Sequence, residues 1–265
     1  MSASSAGCLA HVRPKYARFA SRLACLTCLL FAASGCGGSS ESTTSEAGHA
    51  PAKHAYLVAA LGDSITAGSP LWDPNPALRS ELGVRPNRRS QYEYWARKAV
   101  GGIRFRNCGV PGERTDQIGS RLRTCARGAD ALIVQGGIND IAQALGAGPG
   151  AEASAVTAAA GNLKRMVRAG RRMGLSVLLA NLLPWNNGHP QADPAIARLN
   201  RDIRAIGRRQ RVPVLPFHDT LERPAGSGLM RSDLTIEGDH PSIAGYTLLG
   251  QRAVAPALRR LVNRP

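Results

Sequence analysis

The side chains best equipped for chemistry in this sequence are a serine behind an apolar run, a histidine in a polar turn and an asparagine amide. The serine is Ser64, in 57-LVAALGDSITAGSP-70. A hydroxyl becomes a useful nucleophile at neutral pH only when a base takes its proton. Three histidines stand far enough along the chain to be considered. His240 lies in 237-EGDHPSIAGY-246, a polar turn opening the last helical stretch, where an imidazole can swing over a site. His189 sits in the loop 184-PWNNGHP-190 and would line a site, whereas His218 follows an apolar run and is expected to be peripheral. Asn139 in 137-GIND-140 and Gly109 in 107-NCGVPGE-113 can supply N–H donors to a developing negative charge. Taken singly each has a plain structural use: Asp63 or Ser64 as a helix N-cap, the glycines as turns, Asn139 as a loop bridge. Together the set describes nucleophilic attack by serine, a histidine base and a cradle of amide donors.

The elements that must carry these residues can be read from hydrophobic spacing. Short apolar runs at 56–62, 103–109, 131–137, 175–184 and 212–217 read as strands. Amphipathic stretches near 90–100, 114–124, 152–173, 194–210 and 241–262 read as helices. In the longest, Val156, Ala160, Leu163, Val167 and Ala169 recur at helical spacing. This alternation predicts a parallel sheet of about five strands with helices on both faces, a three-layer α/β/α sandwich. Ligands of such sheets bind beyond the carboxyl ends of the strands. Gly62-Asp63-Ser64, Asn107-Cys108-Gly109 and Gly137-Ile138-Asn139-Asp140 fall at the ends of the first three strands, so three polar clusters are expected to face one crevice. The loops 69–90 and 184–194 are expected to border it. Trp72 and Trp185, which they carry, fit either substrate contact or packing.

The order 61-LGDSITAG-68, 107-NCGVPGE-113, 137-GIND-140 and 237-EGDHP-241 resembles the four signature blocks of the SGNH, or GDSL-type, hydrolase superfamily, over nearly all of residues 55–265. That resemblance implies a flavodoxin-like fold and a serine ester hydrolase of the lipase or lysophospholipase kind, working without metal or organic cofactor. Carbohydrate O-acetyl ester hydrolysis is the alternative, and a non-catalytic surface binding module a more distant one. Carried over residue by residue, Ser64 is the nucleophile, His240 the base, and Ser64 N–H, Gly109 N–H and Asn139 the oxyanion donors. The third triad member stands three residues before the histidine. Similar proteins have Asp there; this chain has Glu237, with Asp239 as the second candidate. Substrates of this kind are small-molecule or glycan esters. The sequence lacks G-x-S-x-G, the P-loop pattern and H-E-x-x-H, which disfavours the α/β-hydrolase, nucleotide-hydrolase and zinc-peptidase readings.

Composition bears on location rather than chemistry. The formal charge of +16 falls to +12 once Arg13, Lys15, Arg18 and Arg22 are set aside with a leader. Those residues precede 23-LACLTCLLFAA-33, an apolar run too short to span a bilayer, so residues 1–35 are expected to be a signal peptide. The segment 33-ASGC-36 is similar to a bacterial lipobox with Ala in place of the usual Leu. It makes Cys36 a candidate for lipidation, and thus for a membrane partner in the cell envelope. Simple secretion is the alternative. Residues 36–54 are Gly/Ser/Thr-rich and read as a tether. The remaining charge is almost entirely arginine without a compact basic run, which favours a solvated surface over nucleic-acid binding. Cys108 and Cys125 are expected either to pair, as an oxidising compartment allows, or to be two buried thiols.

Overall fold

The computed structural model describes residues 55–185 and 188–263. The expected signal peptide 1–35, the tether 36–54 and Cys36 lie outside the described residues. Strands β1 (Tyr56–Gly62), β2 (Ile103–Gly109), β3 (Ala131–Val134), β4 (Ser176–Ala180) and β5 (Val214–Leu215) form one sheet in the order β2-β1-β3-β4-β5. Every pair is parallel, with Gly62 opposite Gly109 and Leu61 opposite Val134. The strand segment Ala131–Val134 is buried at every position, as expected of a strand covered on both faces.

Between β1 and β2 lie α1 (Ser64–Ala67), α2 (Pro76–Ser80) and α3 (Tyr92–Ala99); α4 (Thr115–Ser120) and α5 (Leu122–Cys125) lead into β3. Next come α6 (Ile138–Ala144) and α7 (Ala151–Arg172), and α8 (Asp193–Gln210) joins β4 to β5. The chain closes with α9 (Phe217–Leu221), the small antiparallel hairpin β6 (Thr235–Ile236) and β7 (His240–Pro241), α10 (Ile243–Leu248) and α11 (Ala255–Val262). Helix α7 buries Val156, Ala159, Leu163, Met166 and Val167, one stripe at helical spacing. With α8 it covers one face of the sheet through Leu132, Leu179, Leu199 and Ile203; α3 and α11 cover the other through Tyr92, Ala96, Ala255 and Leu258. This is the expected three-layer architecture with five parallel strands.

The expected elements differ in their ends. The apolar run 175–184 forms ladder bonds only to Ala180, and Leu182 and Leu183 continue beyond the sheet as buried wall residues. The last stretch is not one α-helix, because a more widely wound segment with i→i+5 bonding, Leu249–Val254, separates α10 from α11. The sequence period near 100° per residue does not distinguish these windings.

Cys108 and Cys125 are joined by a disulfide with their Cα atoms 6.1 Å apart. It ties the end of β2 to α5 across 17 residues. Closing a loop of that length restricts the unfolded chain, so replacing both cysteines with serine is expected to cost about 2–4 kcal/mol. Urea denaturation of the double variant beside the wild type measures this; equal midpoints would remove the structural role.

Candidate active site

The sheet order reverses between β1 and β3: from β1 the chain goes outward to β2, then returns past β1 to β3. The crevice at such a switch point receives the loops after both strands, and it holds the candidate residues here. Beyond Gly62 the chain turns at Asp63, whose carboxylate accepts from Ile65 N at 2.9 Å and caps α1. Ser64 is therefore the first residue of a helix, where backbone N–H groups have no intrahelical acceptor. Gln135, at the end of β3, locks this turn from the side. Its Oε1 accepts from Asp63 N at 3.2 Å and Thr66 Oγ1 at 2.9 Å, and its Nε2 donates to Asp63 Oδ2 at 3.0 Å. Tyr92 OH is 3.1 Å from Thr66 Oγ1. Burial pushes the Asp63 carboxyl up to about 6, against the hydrogen bonds from Ile65 and Gln135 that lower it. Because the folded value is raised, stability tied to Asp63 is full below its ordinary 3.8 and lost as pH rises through about 6. An ionised cap at neutral pH is thus held at a cost to the fold.

His240 reaches the same point from the other end of the chain. The β6–β7 hairpin presents its ring so that Nε2 lies 3.0 Å from Ser64 Oγ, a hydrogen bond between residues 176 positions apart. The pair predicted from sequence is brought together. Burial pushes the imidazole below its ordinary 6.5, although Asp239 and Glu237 pull the other way. A neutral ring accepts a proton and a charged one does not, so the sign is definite. Any turnover that uses this ring as a base is expected to have kcat/KM level near neutrality and falling about tenfold per pH unit below the His240 pKa, with a midpoint under 6.5. A pH–rate profile on a neutral ester checks this, and a midpoint above 6.5 contradicts it.

Two expectations require correction. Glu237 does not hold the far ring nitrogen: His240 Nδ1 is buried and has no hydrogen-bond partner among the described residues. Glu237 occupies the hairpin turn with φ +63 and an exposed side chain. Its backbone is committed to reversing the chain, and the side chain is carried outward. Asp239 is engaged by the indole N–H of Trp185. The second correction concerns Gly109, whose N–H donates to Asn107 Oδ1 at 2.9 Å. Asparagine side chains commonly bond the backbone two residues on, and here that bond takes the hydrogen assigned to the oxyanion. Asn107 Nδ2 in turn donates to Thr66 O at 2.7 Å, stapling β2 to α1.

Asn139 lies in the first turn of α6 and lines the crevice with Ser64 and His240. Its Nδ2 donates to Glu113 O at 3.0 Å, and an amide nitrogen carries two hydrogens, so one remains for a ligand. That bond also brings the Gly112–Glu113 turn beside Asn139. Arg121 anchors the turn from behind, donating to Glu113 Oε2 at 2.5 Å, Cys108 O at 2.7 Å and Gly62 O at 3.2 Å. Gln135 and Arg121 are not marked for these roles by the sequence, which places Asn107 only as a member of the polar cluster at the end of β2. The polar residue ending the apolar run 131-ALIVQ-135 was the one available signal for Gln135.

The crevice encloses about 80 Å³, walled by Ile138, Leu182, Trp185 and Phe217 around Ser64 and His240. His189 stands 5.1 Å from the Trp185 ring, at the rim. His218 faces Asp219 and Glu222, with Nδ1 3.8 Å from a carboxylate oxygen of each.

A hydroxyl and a largely desolvated imidazole in hydrogen-bond contact, at the switch point of a parallel sheet, are the arrangement of a nucleophile with its base. Residues 60–248 match the family model described as GDSL-like Lipase/Acylhydrolase, and the chain belongs to that family. No match was found among curated proteins. Solved structures share the fold. A GDSL-like lipase from Bacteroides thetaiotaomicron is 19% identical with a TM-score of 0.57, covering 80% of this chain and 91% of its own. A lipolytic G-D-S-L family protein from Veillonella parvula is 18% identical with a TM-score of 0.58, covering 79% and 100%. A catalytic mutant of an acetylxylan esterase from Geobacillus stearothermophilus is 17% identical with a TM-score of 0.58, covering 79% and 95%.

Proposed function

We propose that this protein is a serine ester hydrolase selective for short acyl groups, with acetyl esters of glycans as the best-fitting substrate class. The observation that carries the reading is the 3.0 Å contact between Ser64 Oγ and His240 Nε2 within a cavity of about 80 Å³. Sites for drug-sized ligands enclose roughly 300–1,000 Å³. An acetyl group fits the space beside Ser64, whereas the long chain of a lysophospholipid would have to run on beyond it, past Trp185 and Ile138.

In the reaction, His240 Nε2 takes the Ser64 proton as Oγ bonds to the ester carbonyl carbon. The carbonyl oxygen becomes an oxyanion held by Ser64 N–H, the second Asn139 amide hydrogen and Gly112 N–H. Gly112 takes this role in place of Gly109 because it precedes Glu113, the residue whose carbonyl Asn139 already holds beside the site. Such donors lower the barrier by about 3–4 kcal/mol each. The imidazolium returns its proton to the leaving alkoxide, and the C–O bond breaks. Water, deprotonated by His240, then releases the acid from the serine. Trp185 and Ile138 line the acyl side of the crevice.

The test is a series of p-nitrophenyl esters beside acetylated xylan. Relative to acetate, kcat/KM on octanoate is expected to fall about tenfold or more, since overpacking a closed wall costs about 1–3 kcal/mol. A rate that climbs with chain length would overturn the short-acyl reading and favour lipid.

A further inference from the structure

In a parallel sheet the returning helices run against the strands, so their C-terminal ends collect at the pole opposite the strand ends that carry the catalytic residues. Here each of the four longer helices finishes with two cations. Helices α3 and α7 end with Arg97 and Lys98, and with Arg171 and Arg172. Helices α8 and α11 end with Arg208 and Arg209, and with Arg259 and Arg260. All eight are exposed. Basic last turns complement the helix dipole, which accounts for the sign. It does not account for the missing counter-charges. None of the eight is ion-paired with a carboxylate among the described residues. Arg171 and Arg259 instead donate to the backbone carbonyls of Gln210 and Ala99, and the latter bond brings the ends of α11 and α3 together. Of the acidic residues of these helices, Glu93, Glu152 and Asp193 stand in first turns at the other end, and Asp202 stands at the middle of α8. Within these four helices the charge thus runs towards basic last turns at this pole.

The chain enters the fold at this same basic pole. Tyr56, the first residue of β1, donates from N–H to Gly102 O, in the connection between α3 and β2. Ala55 and Tyr56 thus enter the domain beside the cation ring, and in the sequence they follow an apolar run, 23–33, that is itself preceded by basic residues. The ring spans both faces of the sheet, since α3 and α11 pack on one and α7 and α8 on the other. Such a spread fits a plane better than a groove made for one polymer strand.

We infer that this pole is a docking surface for an anionic phospholipid bilayer, and that it turns the catalytic mouth away from the membrane. The enzyme then works on esters presented from the far side, not on the lipids beneath it. Each cation near an anionic surface adds to binding, and the sum is screened by salt.

The test is sedimentation of the full-length protein with phosphatidylcholine vesicles, with and without phosphatidylglycerol. Neutral vesicles give the baseline from residues 1–54. Adding anionic lipid is expected to tighten binding about tenfold or more at low salt and much less at high salt. Changing Arg172, Arg208 and Arg209 together to Gln removes most of that gain while leaving turnover of soluble p-nitrophenyl acetate unchanged. Changing Arg85, Arg88 and Arg89 to Gln removes the same charge from the segment after α2, at the mouth end, and is expected to keep the gain. Equal losses in the two variants would reduce the effect to net charge and overturn the proposal. It is equally overturned if anionic lipid adds nothing, even where heparin retains the protein. Loss of soluble-ester turnover by vesicle-bound wild type would overturn the orientation. The binding results stand whether or not the esterase reading holds.

Discussion

Replacing Ser64 with alanine is expected to lower kcat on p-nitrophenyl acetate by about ten-thousand-fold or more, with little change in KM or thermal stability. The substitution removes the atom proposed to bond the acyl carbon and disturbs little else, since the hydrogen bond it deletes is the one between Ser64 Oγ and His240. The turn itself is held by Asp63, Gln135 and Thr66. Groups that act as a unit fail as a unit. His240→Ala should therefore cost about as much as Ser64→Ala, and the double variant hardly more. Single-turnover measurements on the three variants make the comparison. Two losses that multiply would mean the residues act separately, and a Ser64→Ala enzyme as active as the wild type would end the nucleophile assignment.

Gly109→Ala should be the most damaging change outside the reacting atoms, for a reason unconnected with the oxyanion. A Cβ at this position would stand 2.0 Å from Ala67 N, 2.5 Å from Ala67 Cα and 2.6 Å from Thr66 C. These are backbone atoms of the helix that Ser64 begins, so no side-chain rotation relieves the clash. Either β2 or α1 has to move. A loss of about 3 kcal/mol or more in urea denaturation is expected, at the upper end of overpacking costs. Displacing Ser64 by about 1 Å is expected to cost a further hundredfold in kcat. Gly112→Ala supplies the contrast. That residue has φ +78, and a Cβ added there would meet nothing within 4 Å, so its penalty is conformational, about 1 kcal/mol. If Gly109→Ala folded with wild-type stability, the close approach of β2 to α1 would be refuted.

The unpartnered Nδ1 of His240 gives these variants further meaning. With no carboxylate bonded to that nitrogen among the described residues, the ring is oriented by Ser64, by the β6–β7 hairpin and by burial. Trp185 ties Asp239 into the cavity wall instead. The departure of Glu237 from the family's usual Asp thus coincides with a side chain that points to solvent.

The sequence alone determined the alternation of strands and helices, because burial on two faces leaves apolar runs and burial on one leaves a 3.6-residue stripe, and both are written locally. It also determined that Ser64, His240 and Asn139 would stand at loop ends facing one crevice, since their blocks follow recognisable strands or open a helix. What only tertiary structure decided are contacts between segments far apart in the chain: Gln135 on the Asp63 turn, Arg121 behind Gly62, and Trp185 on Asp239. Gly109 shows the physical reason. Its type announced a need for small size, but a backbone N–H is spent on whichever acceptor folding brings nearest, and that was the Asn107 side chain. Glycine's smallness was needed against α1, and the chain pattern does not record which neighbour will press there.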